Sequence, residues 1–559
     1  MLLVRGGTVV DPTRDAGVDP TDHGNAPADV WIRGEHVVAP EDVPGPPDRV
    51  IDAGGGTVMA GGIDPHTHIG GGKLTLARML LEPDFRSPAG DHLPEGWTGQ
   101  HPELCAYLPA APVAASRYLD MGFTTCFEPA VIASNARSAH AEMADCRGLD
   151  TGGYVLLGNE PPLLAMIRDG CDQRVINDYV RWMVAATGSI AVKVVNAGGI
   201  DAFKFACRSL DVDETHPTYG VTPRQIVGRL ARAVHEIGLR HPLHVHCSNL
   251  GVPGNIDSTL ATIDAADGYP IHLAHAQFHV YGRTDGGITS AAARLADAVN
   301  ASTHVSVDVG QVMFGQTVTL SADAMHQYDN LPLATPRKGV VSDIECQSGC
   351  GVVPFRYRKR RWVNAVQWMA GLELFLMIDD PSRVWLTTDH PNGAPFTTYP
   401  QLIRLLGDRT YREAAMRELA PELADAGQLA GIDREYSPHD IAAMTRSGPA
   451  AALGLADRGH LRPGAVADVV VYGDDDNLER RFASPRFVIR RGRVVRGEGA
   501  ESPAGGQRTL VADLPVDVGD TASFARYVDD LPYRPDTVWI GDDEWPGIGT
   551  ERIATGMRS

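Results

Sequence analysis

The pair His66 and His68 is the first group in the chain whose residue types and spacing suggest chemistry. The two imidazoles follow the short apolar run 57–60, at the end of a predicted strand. Alternate side chains of a strand project from the same face, so the two residues would lie about 7 Å apart along the chain on that face. An isolated H-x-H pair is more often a surface or core feature than a metal site. The pair therefore predicts a metal only if the rest of the chain supplies further ligands.

Four further polar residues stand at the ends of predicted apolar strands: Lys193, His246, His275 and Asp389. In a barrel of parallel strands, the carboxyl ends of the strands face one common mouth. Neutral imidazoles and carboxylates suit zinc, and two zinc ions about 3.5–4 Å apart can share a hydroxide. The six residues together therefore predict metal-dependent hydrolytic chemistry at that mouth.

Lys193 has two interpretations. A protonated lysine offers no lone pair to a metal, and with a reference pKa near 10.4 it would serve only as a buried ion-pair partner. If the amine is instead neutral and CO2 adds to it, the resulting carbamate is an anionic ligand with two oxygens that can bridge two cations. A lysine ligand makes most sense in a site with two metals.

The elements that position these residues alternate between short apolar strands and Ala/Leu/Arg-rich helical stretches over residues 61–400. This alternation predicts an α/β fold with a (β/α)8 barrel. With the strand that opens the barrel, the predicted strands are 124–127, 154–157, 191–195, 243–246, 271–275, 303–307 and 384–388. Three insertions are longer than ordinary βα loops and are expected to cover the site or meet partners: 82–103, 201–222 and 311–361.

The flanking segments predict a second, smaller domain. Residues 1–60 and 457–500 both have the texture of short strands separated by Gly and Pro, and we expect them to combine into a small β-sandwich. Residues 401–456 are predicted to form a helical connection. Residues 501–559 are rich in Gly, Pro and Asp and predict an extended tail, with two alternatives: contact with another subunit, or a disordered end.

Composition narrows the function further. The formal net charge of −20 argues against a nucleic-acid surface and against attraction to anionic lipid. The 8 cysteines form no C-x-x-C pair and no iron–sulfur spacing, as expected for reduced thiols. Without an apolar run of the roughly 18 residues that a membrane span requires, we expect a soluble, cytoplasmic protein.

Longer strings around the six residues resemble the formylmethanofuran dehydrogenase alpha-subunit family of the cyclic-amidohydrolase superfamily, and especially its bacterial branch, the hydrolytic subunit of the formyltransferase/hydrolase complex of methylotrophs. The resemblance covers most of residues 1–500. It rests on DPHTHIGGGK (64–73), KVVNAGG (193–199), HVHCSNLGVPGN (244–255), HLAHAQFHVYG (272–282), TTDHPNGAPFT (387–397) and the segment GHLRPGAVADVVV (459–471).

The resemblance implies a binuclear site. His66, His68 and Asp389 would bind one zinc, His246 and His275 the other, with carbamylated Lys193 and a hydroxide bridging the two. From alternation alone, His244 could reach the metal as well as His246, whereas His272 and His275 should face opposite ways. His246 and His275 are chosen because they come later in their strands, where the superfamily places its ligands. Residues beside the ligands are expected to contact the substrate or support the ligands: Asn196, Asn249, Gln277, His279, His390 and Asn392.

The implied activity is hydrolysis of the N-formyl amide of formylmethanofuran to formate and methanofuran, a one-carbon carrier coenzyme. Asp389 would carry the proton from the attacking hydroxide to the departing amine. The implied partners are the other subunits of the complex, including a formyltransferase subunit. Three alternatives remain at this stage: an archaeal-type subunit that condenses formate with methanofuran, a cyclic amidase of the hydantoinase or dihydropyrimidinase type, and a metal-free scaffold subunit.

Overall fold

The computed structural model describes residues 1–13, 26–71, 74–81, 111–203, 210–284, 287–320, 352–502, 506–529, 531, 534–545 and 549–556. The predicted insertion 82–103 and most of the insertion 311–361 lie outside these residues. In chain order the strands are β1 (Leu2–Val9), β2 (Ala26–Arg33), β3 (His36–Val38), β4 (Arg49–Asp52), β5 (Thr57–Ala60), β6 (Gly62–Asp64), β7 (Phe123–Val131), β8 (Asp150–Leu157), β9 (Ala191–Val195), β10 (Leu243–His246), β11 (Ile271–Leu273), β12 (Tyr281–Thr284), β13 (Gly287–Ser290), β14 (Val305–Asp308), β15 (Gly315–Thr319), β16 (Val353–Tyr357), β17 (Val384–Trp385), β18 (Val469–Tyr472), β19 (Phe487–Arg490), β20 (Arg493–Arg496), β21 (Arg508–Asp513) and β22 (Gly549–Ala554).

Most helices of the described residues lie between successive strands of the chain. They span Leu74–Leu80, Ala111–Asp120, Ala136–Ala144, Pro161–Arg168, Gln173–Ala186, Gly199–Phe203, Pro223–Glu236, Ile256–Ala265, Ala292–Ala301, Trp362–Met377, Tyr399–Gly407, Arg409–Arg417, Pro438–Ala442, Gly448–Leu453, Leu478–Ala483 and Ala525–Val528.

A curled sheet of parallel strands forms the centre of the molecule. Among the described residues it runs β6-β7-β8-β9-β10-β11-β14-β17, each strand parallel to the next. The ring closes through an isolated parallel bridge between Thr67 and His390, where the His68 N–H donates to the His390 carbonyl oxygen at 2.9 Å. The predicted α/β class and (β/α)8 barrel are confirmed.

The strand that opens the barrel differs from the prediction. The apolar run 57–60 is β5, which pairs with β1 and β18 in the terminal sheet and not with the barrel. The barrel strand is the shorter β6, and His66 and His68 follow its end. Gly61 and Gly62 permit the crossing from one sheet to the other, because a Cβ at Gly61 would lie 2.1 Å from Thr124 Oγ1. The expectation that the run 57–60 leads directly into the histidines is wrong.

The N-terminal and C-terminal segments of the predicted small domain do combine. Strands of the N-terminal segment and of the segment near residue 480 form one 8-stranded sheet in the order β20-β19-β18-β5-β1-β2-β3, with β4 beside β1. Its apolar face buries Val4, Val58, Val469, Val471 and Ile489. The sheet packs against the barrel and fixes the position of β6.

The C-terminal segment packs on this chain's own barrel. Strand β21 pairs in parallel with β8 at Thr151 and Gly152, and β22 continues from β21. The Ala512 N–H donates to the Ser189 carbonyl oxygen at 3.1 Å, just before β9 begins. The tail therefore extends the barrel sheet at the end opposite the mouth. The predicted contact with another subunit stays a prediction.

A buried ionic network joins the barrel, the terminal sheet and the tail at this lower end. Asp150, the first residue of β8, contacts the guanidinium groups of Arg490, Arg458 and Arg491, the last two at 2.8 and 3.1 Å. Arg458 also pairs with Glu551 of β22 at 2.7 Å. Burial raises the pKa of the Asp150 carboxyl, but the three arginines lower it more, so its net pKa is lowered. Each charge of this network has a partner.

Within the described part of the chain, no helix combines the length and apolar character needed to cross a membrane.

Candidate metal centre

His66 and His68 are each held by a carboxylate through one ring nitrogen. His66 Nδ1 lies 2.8 Å from Asp308 Oδ2, and His68 Nδ1 lies 2.7 Å from Glu128 Oε1. Histidines that bind metals usually donate their second ring N–H to a carboxylate or carbonyl, which fixes the tautomer and the ring orientation. Both imidazoles therefore present Nε2 to the barrel axis as the free ligand atom.

The two Nε2 atoms converge on the same carboxylate oxygen. Asp389 Oδ1 lies 3.0 Å from His66 Nε2 and 3.3 Å from His68 Nε2. Lys193 Nζ lies 3.3 Å from His66 Nε2. The structure thus brings together four of the six predicted ligands, from strand ends that are far apart in the sequence.

The environment of Lys193 favours its neutral form. The side chain is 2% exposed, and burial lowers the pKa of its amine even though Asp389, Asp308 and Glu128 act to raise it. The neutral amine is the form that can react with CO2. Burial raises the pKa of the Asp389 carboxyl, but His275 and His66 lower it by more, so the net pKa is lowered. Asp389 is therefore held as a carboxylate.

The other predicted ligands form a second cluster with a residue that was expected only to support the site. His246, His275 and His279 are buried, and their candidate ligand nitrogens lie within 4.8 Å of one another. The rings of His246 and His275 are 4.5 Å apart at 83°. Burial lowers the pKa of His275 to about 4, so this imidazole is neutral at physiological pH. Neutral imidazoles are the form that binds metal.

His272 and His275 do not face opposite ways, so the expectation drawn from strand alternation is wrong. Strand β11 ends at Leu273, and His275 has a left-handed backbone with φ 32°. The His275 ring lies 5.5 Å from the His66 ring, while the His272 ring lies 4.8 Å from the His244 ring. Both side chains therefore point inward, at different depths.

His244 and His272 lie beneath the candidate ligands, and their nitrogens already have neighbours. His244 Nε2 lies 3.0 Å from His66 Nδ1, and His244 Nδ1 lies 3.0 Å from His241 Nε2. His272 contacts Asp308 Oδ2 at 3.1 Å and Ser306 Oγ at 2.8 Å. These contacts assign both rings to a supporting layer of the barrel core.

Sequence reasoning missed Asp308 and Glu128. Asp308 contacts His66 and His272, accepts a hydrogen bond from the His275 N–H at 2.8 Å and another from Thr387 Oγ1 at 3.0 Å. Glu128 holds His68 and accepts hydrogen bonds from the N–H groups of residues 69 and 70. A signal for both existed, because each is the acidic residue directly after a predicted apolar strand.

The six accessory residues divide into two groups. Asn249, His390 and Asn392 are engaged with the protein: Asn249 donates to Ser258 Oγ, His390 accepts from the Phe396 N–H, and Asn392 accepts from the Leu320 N–H. Asn196 Oδ1, Gln277 Nε2 and both ring nitrogens of His279 are buried, and none of these atoms has a hydrogen-bond partner within the described ranges. The second group offers polar atoms to a bound molecule or ion.

Backbone strain collects at the same place. Four of the six described non-glycine residues with positive φ follow barrel strands at the mouth: Asn196, Asn249, His275 and Asp389. Such conformations cost of order 1–3 kcal/mol each and cluster at functional sites.

The donor set fits a binuclear metal centre. Among the described residues, His246 Nε2 and His275 Nδ1 are buried nitrogens without a hydrogen-bond partner, an arrangement that is costly unless a ligand completes it. Nitrogen and carboxylate oxygen donors with an anionic bridge are the set that zinc prefers. The fold and the site define a (β/α)8 barrel with candidate metal ligands at the carboxyl ends of its strands.

Residues 49–496 match the amidohydrolase family, and the chain belongs to this family. It is 44% identical over 536 residues to FhcA, a component of the formyltransferase/hydrolase complex Fhc of Methylorubrum extorquens, covering 95% of this chain and 94% of that protein. It is 35% identical over 475 residues to protein FwdA of Methanocaldococcus jannaschii, covering 81% and 82%.

The same relationship holds in three dimensions. The structure superimposes on a chain of the crystal structure of the FhcABCD complex from Methylorubrum extorquens with methylofuran, with a TM-score of 0.87 at 42% identity, covering 99% of this chain and 100% of that one.

Proposed function

We propose that this chain is the hydrolytic subunit of a cytoplasmic formyltransferase/hydrolase complex and hydrolyses the formyl amide of formylmethanofuran to formate and methanofuran. The observation that carries the proposal is the convergence of His66, His68, Lys193 and Asp389 at the barrel mouth of a chain so similar to FhcA of such a complex. The partners would include the formyltransferase subunit. The similarity to FhcA supports this assembly and this substrate class.

Two zinc ions would be held by this chain's own residues. His66, His68 and Asp389 would bind one, His246 and His275 the other, and carbamylated Lys193 would bridge them. When bound, the metals supply a Lewis acid for the formyl oxygen and make hydroxide available from water near neutral pH.

Asp389 would move the proton. In the hydrolysis, water adds to the formyl carbon, the C–N bond breaks, and the departing amine nitrogen gains a proton. The ionised Asp389 accepts the proton released by the attacking water and delivers it to that nitrogen, general acid–base catalysis worth about 10²–10⁴-fold.

Asn196 and Gln277 would orient the substrate. Asn196 Oδ1 can accept a hydrogen bond from an amide N–H, and Gln277 Nε2 can donate one to a carbonyl oxygen, since neither atom has a partner among the residues that the structure describes.

The reverse reaction, condensation of formate with methanofuran, is the second candidate, because the sequence strings that resemble formylmethanofuran dehydrogenase include its archaeal-type subunit. The same residues would serve condensation of formate with the amine, because a catalyst accelerates both directions. Hydrolysis is preferred, since identity and coverage are both higher with FhcA of the formyltransferase/hydrolase complex.

The test uses the chain assembled with its partner subunits. We expect formate release from formylmethanofuran, turnover of dihydrouracil at least about 100-fold slower, and two zinc ions per chain by elemental analysis. Faster opening of the cyclic amide would replace the assigned substrate with a cyclic one. Fewer than one metal per chain in protein purified without chelators would leave the scaffold alternative.

A second test addresses the carbamate on Lys193. Lys193→Met removes the amine while conserving side-chain length, and we expect loss of formate release and of one bound metal. Propionate or another short carboxylate should restore part of the activity by occupying the place of the carbamate. Full activity of Lys193→Met in CO2-depleted buffer would remove the carbamate from the proposal.

A further inference from the structure

His279 is a buried histidine whose ring has no hydrogen-bond partner on either nitrogen among the described residues. The residue is 1% exposed. It ends the short 3-10 turn Ala276–His279 that follows His275. Its backbone is fixed, since Thr259 Oγ1 donates to the His279 carbonyl oxygen at 2.7 Å. The turn therefore holds an imidazole in the core in a position where the described part of the chain offers it no hydrogen bond.

An imidazole in this position is costly unless something else completes it. A buried polar group without a partner loses its hydration without gaining a hydrogen bond in exchange. His246 Nε2 and His275 Nδ1 have the same deficiency, and the His279 ring lies 5.2 Å from the His246 ring and 5.3 Å from the His275 ring. Three unsatisfied imidazoles thus surround one small volume.

Protonation does not explain the cluster. Burial, and then the neighbouring His275, lower the pKa of His279 well below its ordinary value, and His246 is shifted in the same direction by burial and His275. Three imidazolium ions in contact would repel one another strongly. The three rings are therefore neutral, and each carries a lone pair that a cation can accept.

We propose that His279 is a third imidazole ligand of the metal that His246 and His275 hold. The inference rests on the proposed function in one respect, namely that a metal occupies this half of the centre. The donor atoms of the three rings lie within 4.8 Å of one another. Nitrogens on one tetrahedral zinc, at bonds near 2.0–2.1 Å, are separated by about 3.3 Å, so small rotations of the side chains bring the three atoms to bonding distance.

The consequence is a difference between the two metals. Three neutral imidazoles make up the complete set of three protein ligands found in many zinc enzymes. The metal held by His246, His275 and His279 can therefore bind without Lys193. The metal held by His66 and His68 has only Asp389 besides, and gains most from the bridging carbamate. Loss of the carbamate should release one metal and leave the other.

The alternative role for His279 is a hydrogen bond to the substrate. A ring N–H could reach the formyl oxygen and would also satisfy one nitrogen. The two roles differ in metal affinity, which a substrate contact does not change in the absence of substrate.

The experiment measures metal binding in the assembled complex without substrate. His279→Phe keeps a ring of similar shape and removes the ligand atoms. His140→Phe is the matched control, because His140 is an equally buried histidine on the helix Ala136–Ala144, where it contacts the Thr187 carbonyl oxygen and the Trp545 ring. Zinc content is followed by elemental analysis during dialysis against graded chelator, and cobalt-substituted protein is followed by visible absorption.

We expect His279→Phe to bind the metal held by His246 and His275 at least about 100-fold less tightly than wild type does. The absorption bands of the cobalt-substituted variant should change as well. Loss of a residue that only supports a metal ligand lowers metal affinity by about 10–100-fold. His140→Phe should match wild type in both readouts. Lys193→Met should retain one metal, and the double variant Lys193→Met/His279→Phe should retain none under the same dialysis.

Two results separate the inference from the proposed function. Wild-type affinity and an unchanged cobalt spectrum in His279→Phe would overturn the ligand role, and a fall in turnover alone would then assign His279 to the substrate. Wild-type protein without metal would instead overturn the proposed function. If His279→Phe does not assemble, His279→Gln is used, with circular dichroism confirming the fold; we expect the same weakening, and wild-type affinity would again overturn the inference.

Discussion

The two ends of the barrel differ in whether their buried polar groups are paired within the protein. At the lower end, Asp150 is surrounded by three arginines, which in turn reach Asp468 and Glu551. At the mouth, His246, His275 and His279 keep buried ring nitrogens that have no hydrogen-bond partner among the described residues. Both ends are buried and polar, but the charged groups of the lower end have ionic partners within the protein, whereas these ring nitrogens of the mouth have none in the described part of the chain.

The difference separates stability from function. A satisfied ionic network holds elements together, and removing one member leaves uncompensated charge. Buried polar atoms without a hydrogen-bond partner lower the stability of the isolated chain. A ligand that binds these atoms restores that stability. In barrels of this kind, polar residues at the lower end serve stability and those at the carboxyl ends of strands serve chemistry. Four substitutions test this division.

Asp389→Asn should have the largest effect. The amide cannot accept the proton and is a poorer metal ligand, so we expect formate release to fall by about 10⁴-fold, the upper end of the range for general acid–base catalysis. A variant with more than a tenth of wild-type activity would remove Asp389 from the proton-transfer role.

Asp150→Asn should produce the opposite pattern. It leaves Arg458, Arg490 and Arg491 without their shared anion, and we expect destabilisation by about 3–5 kcal/mol, seen as a melting temperature several degrees lower. Activity per folded molecule at low temperature should be close to that of wild type.

The pH dependence of this loss follows from the sign of the shift. Because the Asp150 pKa is lowered in the folded state, its contribution is fully present above the unfolded value near 3.9 and disappears as the pH falls through the folded value. The difference between wild type and variant should therefore be constant from pH 5 to 8. A difference that grew across this range would show that another group is responsible.

Asp308→Asn should give an intermediate effect on the centre. Asp308 positions His66, His272 and the His275 backbone, so its loss should weaken metal binding by about 10–100-fold. Chelator competition measures the change, and activity should recover at high zinc concentration. If excess zinc restores nothing, Asp308 acts on the reaction and not on the metal ligands.

Lys359→Gln should have the smallest effect. Lys359 and Glu418 form an ion pair in which the side chains are 47% and 60% exposed, and solvent screens such pairs. We expect an unchanged melting temperature and unchanged formate release. A clear loss of either would show that the surface carries more of the stability or function than the barrel ends suggest.

The sequence predicted the class of fold and the positions of the candidate ligands because both depend on local patterns. Apolar strands recur at regular intervals, and polar residues at their ends stand out. Apart from the combination of the two terminal segments, details that depend on contacts between distant segments were not predicted. The run 57–60 precedes the histidines as a barrel strand would, and only its pairing with β1 and β18 places it in the other sheet.

The misjudged residues have the same origin. The inward direction of both His272 and His275 depends on the early end of β11 and the left-handed turn at His275, which no alternation rule contains. The packing of the tail on β8 depends on pairing across more than 350 residues. The roles of Asp308 and Glu128 became visible only when their histidines were placed beside them.

The closure of the barrel by a single bridge between Thr67 and His390 has a mechanical consequence. The first and last strands meet through little backbone pairing, and the residues that flank this seam are His66 and His68 on one side and Asp389 on the other. A metal bound by His66, His68 and Asp389 would link the first and last strands of the barrel across the seam. Metal binding would then stabilise the closed ring by mass action, and chelation should first expose the His68 amide to hydrogen exchange.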